Sequence, residues 1–255
     1  MKVSQPDQGG FSAVLFDIGD TLLDARGVRR ESLQSAAQQL VAGGFTSDAS
    51  AFLSAYEDAD QEISAADINQ LYSDLRIADR AFQILGRQAD TRATGFFLTV
   101  YRNAVRRNLH VDTQLIATLD ELTAAGVKLG IVSNGTTVEQ LEQLVCLGVI
   151  KYFEPILISQ QIGIAKPDKR IFQRASELLR IEPERFLVVG DRPDWEVLGA
   201  HRAGMKAALM TRYIDNRAKI IEPAMRPEYV IDNVNDLLKI VQIGRSHNGS
   251  QSKYQ

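Results

Sequence analysis

The sequence predicts an α/β fold, a parallel sheet covered by helices, with a helical module inserted after its first strand. Three observations lead there. From residue 111 onward, short apolar runs alternate with helical patterns, as strands and crossover helices do in a parallel sheet. One more run of the same kind, Val14–Phe16, stands alone near the start. Between the two lies a stretch, 29–110, whose apolar spacing is helical throughout. The economical reading is a Rossmann-like core formed by residues 1–28 and 111–255, with an α-helical cap domain at 29–110. The polar tails, about 1–10 and 246–255, are expected to be disordered.

The cap elements follow from their faces. Leu33, Ala37, Leu40 and Val41 share one side of a first helix. Phe52, Tyr56, Ala59 and Ile63 mark a second, and Leu71, Leu75, Ala78, Phe82 and Leu85 a third. Phe97, Val100, Tyr101, Ala104 and Val105 mark a fourth. The remaining core strands are predicted at Leu129–Val132, Ile156–Ile158, Phe186–Val189, Ala207–Met210 and Tyr229–Ile231. Helices fit between them at Thr113–Ala125, Thr137–Leu147, Lys169–Arg180 and Trp195–Ala203, with a last one from Asp236.

The chain has 255 residues, 45% of them hydrophobic and 24% charged, enough to build a sizeable core. A net charge of −3 gives no general attraction to nucleic acid or anionic lipid. No apolar run approaches the length of a membrane span, and Met1–Gly10 has no apolar segment of a signal peptide, so the expected location is the cytoplasm. Cys146, the single cysteine, lies in the apolar stretch LEQLVCLGV and reads as a buried, inert thiol. His110, His201 and His247 have no zinc-ligand spacing.

Polar residues close the apolar runs in a consistent way. The first run ends at Asp17, the second (KLGIVSNGTT) at Ser133, and the fourth (RFLVVGDRPDWE) at Asp191. Ligands of open parallel sheets bind outside the carboxyl ends of the strands, so these side chains are delivered to one crevice. After the third run, GIAKPDKRIF places Lys166 at the same rim. These residue types suit phosphoryl transfer. Lys166 and a bound Mg²⁺ would offset the phosphate charge, and Asp17 and Asp191 could share the cation through hard oxygens. Ser133 and the amides of Asn134 and Gly135 would hold phosphate oxygens at a helix N-terminus, where Thr136 and Glu139 have capping-box spacing. Asp17 could then attack phosphorus. Each feature alone is ordinary turn or cap chemistry; four in order, each at the rim of the sheet, are more than turns require.

With those segments in view, FDIGDTLLD, IVSNG, AKPDKRIF and VVGDRPDWEVLGAHRAGM resemble the motifs of the haloacid dehalogenase-like hydrolase superfamily. The helical insertion matches the cap that the family carries between its first and second motifs. The resemblance implies Asp17 as nucleophile, and Ser133 and Lys166 as the residues that bind phosphate and orient Asp17. It implies Mg²⁺ held by Asp17, Asp191 and the backbone carbonyl of Gly19.

The sequence departs from the family pattern at two positions. Most phosphatases of the family have an acid/base Asp where this chain has Gly19, and Asp20, one residue on, should point elsewhere. The second acid of the last motif is Glu196, read as supporting the metal from behind its ligands or binding it directly. Asp194 reads as a helix N-cap and Trp195 as core packing. Arg26, Arg29 and Arg30 are open between meeting an anionic substrate and forming a solvated face.

The leading expectation is a Mg²⁺-dependent phosphatase of a small phosphorylated metabolite, acting through an aspartyl phosphate on Asp17, as a monomer or a homodimer. A 2-haloacid dehalogenase using Asp17 on carbon without metal is the alternative that Gly19 keeps open. Phosphonate cleavage by a cap lysine is set aside, because no lysine lies between Lys2 and Lys128. A non-catalytic phosphometabolite sensor is disfavoured by the presence of Asp17, Ser133, Lys166 and Asp191 together.

Overall fold

The computed structural model describes residues 10–66, 74–87, 91–110 and 112–243. Six short strands form one parallel sheet: β1 (Ala13–Phe16), β2 (Lys128–Ser133), β3 (Ile156–Ile158), β4 (Phe186–Gly190), β5 (Lys206–Met210) and β6 (Tyr229–Ile231), in the order β3-β2-β1-β4-β5-β6. Every pair of neighbours is parallel. Each strand predicted from the apolar runs is present.

The two-residue period of a strand explains how the sheet is covered. Val14 and Phe16 of β1, and Leu187 and Val189 of β4, face one apolar cluster together with α5 (Thr113–Ala124) and α10 (Asp236–Ile243). Ala13 and Leu15, and Phe186 and Val188, face another cluster with α8 (Lys169–Leu179) and α9 (Leu198–Arg202). Both faces are buried, which is why these strands read as continuous apolar runs rather than alternating ones.

The insertion comprises α1 (Ala25–Ala42), α2 (Ala49–Ala66), α3 (Asp74–Ile84) and α4 (Thr91–Asn108). These four helices enclose a cluster of their own. Its centre is aromatic: Phe52 lies 5.2 Å from Phe82 and 5.3 Å from Phe97, and Phe97 stacks on Tyr101 at 5.4 Å between ring centroids. Each such buried aromatic ring stabilises the unit by roughly 1.5–3 kcal/mol. The expected faces hold with two exceptions: Val41 and Leu75 are exposed. Leu71, like His247 and the two tails apart from Gly10, lies outside the described residues. Cys146, expected to be buried, is half-buried at the end of α6 (Thr137–Cys146). Among the described residues, no helix is long and apolar enough to cross a membrane.

Strand order reverses at β1, whose neighbours are β2 on one side and β4 on the other. Phe16 is level with Ile131 of β2 and with Val189 of β4. The chain therefore leaves three adjacent strands almost together, at Asp17, Ser133 and Asp191.

Candidate active site

Register brings the strand ends together, and a buried ion network then fixes their side chains. Lys166 is 1% exposed, and its Nζ lies 2.5 Å from Asp17 Oδ1 and 2.6 Å from Glu196 Oε1. The first contact is a directed hydrogen bond, while the second is an ion contact whose angle is poor for one. Burial alone would discharge the ammonium, but Asp17 and Glu196 outweigh it and hold the Lys166 pKa above that of an ordinary lysine.

Ser133 Oγ lies 3.1 Å from the same Asp17 oxygen and 3.0 Å from Gln140 Oε1. One hydroxyl proton serves one acceptor at a time, so donation to Asp17 is complete when the Gln140 amide turns its Nε2 toward Oγ. Lys166 and Ser133 thus both address Oδ1, and the second carboxylate oxygen takes neither contact.

The backbone around this network is held as tightly. Asn134 and Lys166 exchange two bonds: Lys166 N donates to Asn134 Oδ1 at 2.8 Å, and Asn134 Nδ2 donates to the Lys166 carbonyl at 3.1 Å. The Asn134 side chain therefore sets the lysine loop. Gly135 has φ +147°, and a Cβ there would lie 2.7 Å from Gln140 Nε2, so only glycine fits without displacing that side chain. Its amide donates to Ser159 Oγ at 3.0 Å, so holding a phosphate with it means exchanging that bond.

Glu196 is the residue whose role changes most. Its Oε2 accepts from the Arg192 amide at 2.9 Å while Oε1 meets Lys166, so it seats the lysine. A short segment, Pro193–Val197, is wound as a π-helix and turns Glu196 beneath the end of β4. A Cβ on Gly190 would lie 2.1 Å from Glu196 Cγ, and the bare strand end is what admits it. Asp194 is not an N-cap: it pairs with Arg192 at 2.5 Å, and the Arg192 guanidinium lies 3.9 Å from the centre of the Trp195 ring. Trp195 borders the pocket rather than packing in the core, because that pair and stack hold it at the rim.

Asp191 is 4% exposed, and Asn216 Nδ2 donates to both its Oδ2 and its carbonyl at 2.9 Å. Burial, followed by the charges of Glu196, Asp17 and Asp20, pushes the Asp191 carboxyl up to about 8. That is the signature of too much negative charge in one place. Asp17, Gly19 and Asp191 border one pocket, and their carboxylate and carbonyl oxygens are hard donors of the kind that would suit Mg²⁺. Among the described residues, no group of three or more acid, histidine or cysteine side chains is gathered as a metal site.

The expectation for Asp20 is corrected. It adopts φ +54° and borders the same pocket as Asp17. Its oxygens are committed, Oδ1 to the Arg26 amide at 3.2 Å and Oδ2 to Arg26 Nε at 3.1 Å. Gly19 has no positive φ, and a Cβ there would meet Ala25 Cβ at an ordinary 3.4 Å. The turn's strain sits at Asp20, not at Gly19.

These groups floor a pocket of about 330 Å³. Its other walls come from α1–α4 and α6, through Arg29, Asp60, Asp74, Tyr101, Arg102 and Glu139 among others. The capping box at α6 is also corrected. Thr136 sits at the N-cap without a side-chain bond to the helix amides, and Glu139 divides its hydrogen bonds between the Thr136 side chain and Asp74 of α3. Of the three arginines, Arg26 and Arg29 border the pocket, and Arg30 is exposed. His201 is tied to Glu228 at 3.1 Å, away from the site.

Three residues here were not singled out by the sequence. Ser159 follows β3 directly, so the rule that found Ser133 would have found it. Gln140 lies one turn into the helix after IVSNG. Asn216 lies in an irregular loop with no signal of its own.

A family model described as haloacid dehalogenase-like hydrolase matches residues 11–204. A glyceraldehyde 3-phosphate phosphatase from Methanopyrus kandleri is 30% identical over 232 residues, 90% of this chain and 97% of its own length. Among solved structures, a HAD-hydrolase from Bacillus subtilis bound to magnesium superimposes with a TM-score of 0.69 at 21% identity, covering 91% of this chain and 99% of its own. A 2-haloacid dehalogenase from Pseudomonas syringae gives 0.67 at 22% identity, covering 91% and 98%. At those identities the two structures speak for the fold alone.

Proposed function

The chain belongs to the haloacid dehalogenase-like hydrolases, and from that premise we propose that it is a Mg²⁺-dependent phosphatase of small phosphorylated metabolites. The phosphatase relative that matches nearly end to end supports the reaction type. The observation that carries the reading is the clamped carboxylate. Lys166 and Ser133 fix Asp17 through Oδ1, leaving its second oxygen outside both contacts and Lys166 charged beside it. That oxygen attacks phosphorus, a bond forms from Asp17 to the phosphoryl group, and the ester oxygen leaves with its electron pair. Water then cleaves the aspartyl phosphate and restores Asp17.

Asp17, Asp191 and the Gly19 carbonyl would hold Mg²⁺, which would supply positive charge to the phosphate oxygens when bound. Asn216 orients Asp191 for that task, and Glu196 keeps Lys166 in place. The helices α1–α4 act as a cap that shields the pocket from water. Because Asp20 is held by Arg26, the departing oxygen takes its proton from water or from the substrate. Gly19 favours one other reading, attack of Asp17 on a halogenated carbon.

The test is release of inorganic phosphate from a panel of phosphomonoesters with and without Mg²⁺, beside chloride release from 2-chloropropionate. Phosphate release that stops on chelation supports the proposal. Chloride release unaffected by chelation, with no phosphate release, replaces it.

A further inference from the structure

The wall of the pocket opposite Asp17 has a charge pattern of its own. Four arginines border the pocket, and each is matched to an acid: Arg26 to Asp20 at 3.1 Å, Arg29 to Asp60 at 2.8 Å, Arg102 to Glu142 at 2.6 Å and Arg192 to Asp194 at 2.5 Å. Beyond these pairs the lining carries two more acids, Asp74 of α3 and Glu139 of α6. Asp74 takes the Tyr56 hydroxyl at 2.8 Å and shares a hydrogen bond with Glu139 from the facing helix. Two carboxyls can bond only by sharing a proton.

Resting on the phosphatase reading, we propose that this wall selects phosphomonoesters whose far end donates hydrogen bonds, through a hydroxyl or an ammonium group, and rejects those ending in a carboxylate. A hydroxyl donates to the carboxyl pair. An ammonium group takes the place of the proton shared by Asp74 and Glu139. A carboxylate finds each guanidinium already paired with an acid and two further acids in front of it. Burial lifts both acids above their ordinary range, Glu139 to about 8, which accords with one proton held between them. Arg29 and Arg102 pull the other way but do not overcome burial.

The test is phosphate release by the full-length protein with Mg²⁺ from 2-hydroxyethyl, 2-aminoethyl, ethyl and carboxymethyl phosphate and their three-carbon homologues, with p-nitrophenyl phosphate alongside. The expected kcat/KM is about tenfold or more higher for the hydroxyl or ammonium member than for the carboxylate, because a site built for donors rejects a group that lacks them. Glu139→Gln and Asp74→Asn should each narrow that ratio several-fold, and leaving-group differences cancel between variant and wild type. Either variant alone provides the readout if the other fails to fold. Carboxymethyl phosphate as the equal or better substrate overturns the inference alone, as do ratios unmoved in all folded variants. No phosphate from any compound, p-nitrophenyl phosphate included, overturns the phosphatase reading and this inference with it.

Discussion

The floor and the walls of the pocket are built by different rules. The floor is a connected strand-end network around one carboxylate: Lys166 and Ser133 both bond Asp17, and Glu196 holds Lys166. The walls are helix surfaces whose polar groups are matched in local pairs, such as Arg29 with Asp60 and Arg102 with Glu142. A converging network has no redundancy, so losing one member unsettles the rest. Paired surfaces tolerate change, because each pair is nearly independent of the next. The difference separates the part that does chemistry from the part free to choose what it is done to.

The comparison breaks if the floor proves tolerant. Asp17→Asn should lower phosphate release by about 10³-fold or more while circular dichroism shows the fold retained, as expected for a lost nucleophile. Activity within a few-fold of wild type would remove Asp17 from the chemistry. Lys166→Met should cost about 3–5 kcal/mol of stability, because it leaves Asp17 and Glu196 buried without their cation. Denaturant titration measures it, and a loss under about 1 kcal/mol would show the network to be loose.

Smaller effects sharpen the contrast. Asn216→Ala should weaken the apparent Mg²⁺ affinity about 10–100-fold by freeing Asp191 to rotate. The readout is the Mg²⁺ concentration giving half-maximal stabilisation against heat. Asp20→Asn should change turnover by less than about tenfold, and the dependence of rate on leaving-group pKa should be steep in both proteins. A flat series that becomes steep in Asp20→Asn would make Asp20 the proton donor instead.

On the wall side, pH is the probe. Burial and then Asp74 raise Glu139 from 4.5 to about 8 in the folded protein. Between those values the folded state binds more protons than the unfolded one, so this group's contribution to stability falls as pH rises from about 4.5 to 8. Asp74 and Asp191 are shifted in the same direction and add to the slope. Tm measured across that window should decline less steeply in Glu139→Gln than in wild type, and identical slopes would remove the shared proton.

Much of the floor was legible in the sequence because strand ends carry a local signature. An apolar run closed by Asp or Ser can be read without knowing what lies beside it, and Asp17, Ser133 and Asp191 came from that rule, while the strands came from the apolar runs themselves and Lys166 from the loop after the third run. Glu196 was visible as the second acid of its motif, but its contact with Lys166 was not. Its task depends on the π-helical turn after Gly190 and on the distance to Lys166, neither of which periodicity reports. Asn216 was invisible because the loop that brings it to Asp191 has no regular pattern. The Asp74–Glu139 bond joins helices distant in sequence, and each acid alone looks like an ordinary first-turn residue.

The start of α1 has a mechanical consequence. Asp20 holds the backbone and the side chain of Arg26, and Asp24 caps the same helix through the Gly27 amide. The four-helix unit is thereby moored to the very loop that leaves β1 with Asp17. On the other side it rejoins the core between α4 and α5, far along the chain from any catalytic residue. A tilt of the helices therefore pulls asymmetrically: one attachment tugs the attacking group and the other does not. A chimera that exchanges the helical unit at Ala25 would cut that mooring, whereas one joined before Asp17 would carry it along intact. Two grafts with the same helices should then differ in turnover.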